Sequence, residues 1–382
     1  MSTMSSFLQE CAWLYRHKGV LIILMAAPVI YSFFYPLPYQ HAIVNDVPTI
    51  IWDNDNSVNT REWIHQLDAT PQLKVIAVLP GEPNLEDWAK YPDAQFFTHF
   101  PANTQQRIGM QQQVNIPYGG KADNFLVYST AAKAFTLTMQ EANKNIRLNL
   151  FYSLEGNSVS AEAMADPISV NITQLFNAEA SYLQYLVPAV FIIMVHQILV
   201  MSIGMQWGYR FEMNRPVGHP LGVWATHLVL YSLIGLSLIT FFFRLMLPQQ
   251  SIYFTANGLA FLDVSLPFVL GAIGFGMTFT VFFKEQETAL IWSLPISVPL
   301  LMISGITWPD MGMAPWVQYI SGWLPSTWGI NALVDVAYSN HRADLSEGWR
   351  IALVWLSLGL LLRFVVVDRW QATSRSTDEK PA

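Results

Sequence analysis

Six stretches of this chain are long and apolar enough to cross about 30 Å of hydrocarbon, which takes roughly 20 helical residues. They run approximately 19–37, 182–206, 222–247, 259–283, 290–306 and 351–368. Within lipid a backbone amide has no water to bond, so such stretches fold as helices that satisfy their own N–H and C=O groups. The chain's 382 residues therefore do not divide into ordinary soluble domains. Composition agrees: 52% of residues are hydrophobic and only 12% charged, where a soluble domain carries about 25% charged residues. The single Cys11 excludes an internal disulfide framework and a cysteine-cluster metal site.

The first apolar stretch follows "YRHKG", a basic start that a secretory leader also shows. "YPLPYQH" then follows without a small-residue cleavage signature, so the stretch reads as a retained anchor. Lys and Arg fix the orientation, because cytoplasmic flanks hold the excess. With the N-terminus inside, those flanks carry Arg16, Lys18, Arg210, Arg215, Lys284, Arg369, Arg375 and Lys380, against Arg342 and Arg350 outside. Both termini are then cytoplasmic, and 38–181 forms an extracytoplasmic domain between the first two spans. The division is 1–37 for the N-terminus and first span, 38–181 for the outer domain, 182–369 for five further spans and 370–382 for a tail. Eight basic and fourteen acidic side chains between 38 and 177 give the outer domain most of the chain's net −7 charge. That acidity excludes a nucleic-acid partner, which needs a basic footprint.

The outer segment alternates in character. "TIIWDND", "QLKVIAVL", "DAQFFTHF", "VNIP" and "NFLVYS" read as strands. "TREWIHQLDAT", "NLEDWAKY", "ANTQQRIGMQQ" and a long run over 131–152 read as helices, which predicts a small α/β domain. "DNDNS" at 53–57 lacks the Gly and Glu of a calcium loop and reads as a turn closing a strand. "YGGKAD" at 118–123 places Asn115 and Ala122 where a phosphate loop needs Gly and Ser or Thr, so no nucleotide site is predicted. The fold expected is an α-helical membrane protein with six transmembrane helices and an inserted extracytoplasmic α/β domain.

Inside the spans, His196, Gln197 and His227 are polar groups at membrane depth. They suit either the lining of a substrate route or hydrogen bonds between packed helices, the plainer reading. Two histidines without a third ligand do not make a zinc site. Arg244 and Arg363 lie near span ends, where a long side chain snorkels to the headgroups. The link 206–222, "QWGYRFEMNRPVGHPLG", holds Arg210, Glu212 and Arg215, which either set topology or dock a soluble partner.

Segment 304–333, "SGITWPDMGMAPWVQYISGWLPSTWGINAL", has four tryptophans, three prolines and almost no charge. Trp308 and Pro309 turn the chain, and Pro315 suits a helix start. Trp316, Tyr319, Ile320 and Trp323 recur at helical spacing, and Pro325 ends that helix. The expectation is a re-entrant or interfacial helix near 308–333, serving as an outer gate or as an interfacial anchor.

One span, a large outer α/β domain and then five spans resembles the type-2 exporter permeases of the ATP-binding-cassette (ABC) family, in the drug- and lipid-efflux-like branch. Segment 304–333 is similar to the family's stretch before its last span. "IIWDNDNSVNTREWIHQLDATPQLKVI" is similar to the start of its inserted domain, and "HFPANTQQRI" to a later step into a helix. The resemblance implies a bacterial inner-membrane permease that binds no cofactor, since ATP is used by a separate cytoplasmic ABC ATPase. A second permease, identical or related, would complete the path, and a periplasmic adaptor is a further partner. Arg210 and Glu212 fall where the family couples to its ATPase; beyond them "MNRPVGHP" replaces the usual Gly-Thr and longer helix. The cargo implied is drugs or other amphiphiles. A membrane-anchored receptor or assembly factor is the rival reading, though six spans are excessive for an anchor. An intramembrane hydrolase lacks a nucleophile–base or metal set inside the spans.

Overall fold

The computed structural model describes residues 3–39, 44–121, 123–155, 181–213, 220–253, 258–339 and 344–378. The chain divides into two units, Met1–Gln40 with Leu175–Ala382, and His41–Gln174.

The first unit is helical. α1 (Thr3–Arg16) leads into the first apolar helix, built from α2 (Lys18–Leu21), a π-helical stretch Ile22–Ala26 and α3 (Ala27–Phe34). After the second unit come α8 (Tyr182–Glu212) and α9 (Pro220–Thr240), the latter prolonged through a π-helical stretch to Gln249. α10 (Gly258–Phe279), α11 (Gln286–Met302), the short α12 (Pro315–Ser321), α13 (Pro325–Ser339) and α14 (Leu345–Asp378) complete it. α8 is apolar around its whole circumference and forms the axis, with 94% of its apolar window buried by the rest of the chain.

Contacts fix the direction of each helix. Gly204 and Gly208 of α8 face Ala289 and Gln286 of α11, so these two run antiparallel. Gly276 of α10 lies on Val200, which makes α8 and α10 parallel when taken with Thr280 beside Gly204. α14 runs parallel to α10, with Gly271 near Ala352 and Gly274 on Leu356. Gly274 is required there, because a Cβ would sit 2.5 Å from the Leu356 backbone nitrogen. The bundle thus has a linker end, where α8 finishes and α11 begins, and a far end holding 304–333. Gly19 touches Met205, so the first apolar helix starts at the linker end and leaves at the end where α8 begins.

Among the described residues, five helices are long and apolar enough to cross a membrane: Lys18–Tyr39, Leu183–Glu212, Ala225–Gln249, Gly258–Phe279 and Leu345–Val366. The sixth expected stretch, 290–306, is the 17-residue α11, displaced towards the linker end and containing Pro295 and Pro299. At 1.5 Å per residue α11 spans about 25 Å. It stops where Ile303 and Gly305 turn the chain, Gly305 with φ +88°.

The second unit is α/β. β1 (Val47–Asp53), β2 (Leu73–Leu79), β3 (Phe96–Phe100) and β4 (Tyr118–Gly120) form one sheet in the order β2-β1-β3-β4. β1 pairs in parallel with β2 and β3, and β4 is antiparallel to β3. α4 (Val58–Asp68), α5 (Leu85–Ala89), α6 (Thr104–Gly109) and α7 (Phe125–Glu155) connect and cover it. Central β1 is buried on both faces. Val47 and Ile51 pack with Trp63, Leu67 and Phe135, while Ile50 and Trp52 pack with Ala94, Trp88 and Phe97.

Two strand expectations fail here. "VNIP" is not itself a strand, and the edge strand begins just after it, at Tyr118–Gly120, within the segment weighed as a phosphate loop. "NFLVYS" opens α7 instead, because the Asn124 side chain accepts the Val127 N–H and caps the helix.

Candidate functional site

At the linker end α8 carries two of the residues expected to meet a partner. The Glu212 carboxylate accepts from Gln286 twice, from the backbone N–H at 2.8 Å and from the side-chain amide at 3.0 Å. It thereby caps the N-terminus of α11, where a helix dipole favours an anion. One turn earlier Gly208 lies against Glu285, and a Cβ there would come within 2.4 Å of its backbone. Glu212 and Gly208 together fix the end of α8 to the start of α11. Arg210 is partly buried on the same turn. Arg215 lies outside the described residues.

Deeper on the same side the structure overturns one expectation. Arg363 of α14 does not snorkel; it is 6% exposed and points among α8, α9 and α10. Its guanidinium lies over the Trp207 ring at 4.3 Å, donates to the Met277 carbonyl at 3.4 Å and donates to His227 Nδ1 at 3.1 Å. The Trp207 indole N–H is itself held by the Val281 carbonyl at 2.8 Å. Tyr231, one turn after His227, donates at 3.3 Å to the Ser202 carbonyl and to Gln206 Oε1. The signal for Arg363 is in the sequence. Ala352, Leu356, Gly359 and Arg363 recur at spacings of four, three and four, placing the cation on the helix face that meets α10. Arg244, by contrast, is exposed and lies over the Phe261 ring at 5.2 Å.

The three polar groups expected within the spans do not form one set. His196 and Gln197 are buried on α8, and the His196 ring packs on Phe275 with centroids 5.0 Å apart. His227 belongs to the Arg363 group. Among the described residues no cluster of His, Cys, Asp and Glu suits a metal ion.

At the far end α12 carries Trp316 and Tyr319 on an outward face, 68% and 71% exposed. Trp308 and Pro309 lie on the preceding turn, and Trp308 is also exposed. Pro315 opens α12 as its spacing predicts, but Pro325 opens α13 rather than closing α12. Trp323 falls beyond α12, half-buried beneath the Arg350 guanidinium at 4.9 Å, and its carbonyl takes the Trp355 indole N–H at 2.7 Å. It therefore anchors the turn to α14 and does not extend the outward face. A cavity of about 350 Å³ opens beside this segment, lined in part by Asp310, Thr327, Trp328, Asn331, Asp344 and Glu347. The Ser346 hydroxyl and backbone N–H both donate to Asp344 and hold its carboxyl below the usual range.

Among the described residues, a bundle with five helices long and apolar enough to cross a membrane marks an α-helical membrane protein. The description of ABC-2 family transporter proteins matches residues 18–367, and the chain belongs to that family, as an ABC-2 type permease. It is also similar to the ABC transporter G family member 20 of Dictyostelium discoideum, 28% identical over 116 residues. That similarity covers 30% of this chain and 15% of the relative.

Proposed function

We propose that this chain is the membrane permease of an ABC exporter, moving drugs or other amphiphiles out of the cytoplasm or inner membrane with a separate cytoplasmic ATPase. The observation that carries the reading is the family match from 18 to 367, which spans both units. The short α11 counts as a sixth crossing, both termini lie in the cytoplasm of a bacterial cell, and 38–181 is extracytoplasmic. The basic residues Arg16, Lys18, Arg210 and Lys284 all lie near the linker end, which supports that orientation. Two copies, or this chain and a related one, enclose the path between them. ATP-driven closure of the ATPase pair acts on the link after α8, and the bundle switches between two packings. Glu212 passes that motion to α11, because its carboxylate joins the two helices.

The test is co-purification from the native membrane followed by an efflux assay. A phosphate-loop ATPase should accompany the chain, and efflux of an amphiphilic dye should fall when that ATPase is removed. A chain that purifies alone, with efflux unchanged after Glu212→Ala, overturns the reading.

A further inference from the structure

The polar group around Arg363 is incompletely satisfied in a particular way. Arg363 Nη2, His227 Nε2 and Gln206 Nε2 are each buried without a hydrogen-bond partner, as is the Ser202 hydroxyl. Arginine only donates, so the 3.1 Å contact makes His227 Nδ1 an acceptor and leaves the imidazole proton on Nε2. Tyr231 donates to Gln206 Oε1, which leaves the amide N–H groups of Gln206 unused. All three orphaned nitrogens are therefore donors.

They belong to one connected set. Ser202 and Gln206 lie one turn apart on α8 and share the Tyr231 hydroxyl. His227 lies one turn before Tyr231 on α9 and meets Arg363. Among the described residues no carboxylate pairs with Arg363, and Arg210 is a further cation whose field acts on it. A buried charge left without a counter-charge is costly, as is each buried orphan donor. A water molecule would satisfy an orphan donor but carries no negative charge, so the Arg363 guanidinium would still lack a counter-charge. An anion supplies both the acceptors and that charge.

We propose that Arg363, His227 and Gln206 form an anion site near the linker end of the bundle, taking a carboxylate or phosphate group. On the exporter reading proposed above, this group is the head of an anionic amphiphile. The site then selects cargo by head-group charge, with the tail held by apolar helix faces.

Binding to the purified full-length chain in zwitterionic nanodiscs tests this without any ATPase, so its failure is separate from failure of the exporter reading. The probes are a fluorescent twelve-carbon carboxylate, a trimethylammonium probe with the same chain, and inorganic phosphate as competitor. The carboxylate should bind at least ten-fold more tightly than the ammonium probe. Arg363→Gln should abolish that preference, and Arg363→Lys should restore most of it, which a purely structural role would not do. Gln206→Ala keeps the cation and should weaken carboxylate binding several-fold while leaving the ammonium probe unchanged. Competition by phosphate would assign the site to a free anion, and its absence to an amphiphile's head. Equal binding of the two probes to the unmodified chain, or a preference unchanged in both Arg363→Gln and Gln206→Ala, overturns the proposal.

Discussion

The two ends of the bundle treat their large side chains in opposite ways. At the linker end Trp207, Tyr231 and Arg363 are turned inward and join α8, α9, α10 and α14. At the far end Trp308, Met311, Trp316 and Tyr319 are turned outward, and Met311 is almost fully exposed. Side chains that knit helices together can transmit a displacement, whereas side chains that face outward can meet only what lies around the protein. Tryptophan and tyrosine favour the membrane–water boundary, which suits the far end to that place. The difference leaves one end tied together by its side chains and the other with its aromatic side chains open to the surroundings.

That contrast can be broken by substitution. The largest effect is expected from Gly208→Val, whose Cβ would meet the Glu285 backbone at 2.4 Å. Backbone on both sides leaves no flexible side chain to yield, so recovery of folded protein by size-exclusion chromatography should collapse. Trp207→Ala should follow, removing a buried ring and the seat of Arg363. A loss of about 2–4 kcal/mol is expected for a truncated core aromatic, visible as a lowered midpoint in thermal unfolding. Glu212→Ala removes the α11 cap and should cost about 1–2 kcal/mol, with a larger loss in transport per ATP consumed. Glu212→Gln keeps one acceptor and should fall between the two. The smallest stability effect is expected from Trp316→Ala at the exposed far end, within about 0.5 kcal/mol. If Trp316 gates, Trp316→Asp lowers export while the folded yield is kept; a lost yield assigns it to anchoring.

Much of the helical part was legible because apolar runs of span length leave the backbone few other structures. α8, α9, α10 and α14 lie close to where hydropathy placed them. Segment 290–306 was harder, since its apolar character continues past the turn at Ile303 and gives no sign of where the helix stops. "NFLVYS" shows the known ambiguity of a short apolar run; the capping Asn124 was the better signal. In the second unit "DNDNS" is the turn its residues suggest. Asp53 accepts the N–H groups of Asp55 and Asn56 and the Thr60 hydroxyl, and Ser57 caps α4. The Arg363 group was missed for a different reason. Nearness to a span end suggested a headgroup contact, and only the shared stripe with Ala352, Leu356 and Gly359 reveals the inward direction. The partner helices that meet it, α8, α9 and α10, are more than 80 residues away in sequence, so no local pattern could supply His227 or Trp207.

The Glu212 cap on α11 has a consequence for the far end. With Gly208 against Glu285, the last turn of α8 and the first of α11 share one joint that neither can leave alone. α11 is about 25 Å long, interrupted by Pro295 and Pro299, and runs from that joint into the aromatic turn. On the exporter reading, a small tilt at the joint would be carried along that rod to the turn holding Trp308 and Trp316.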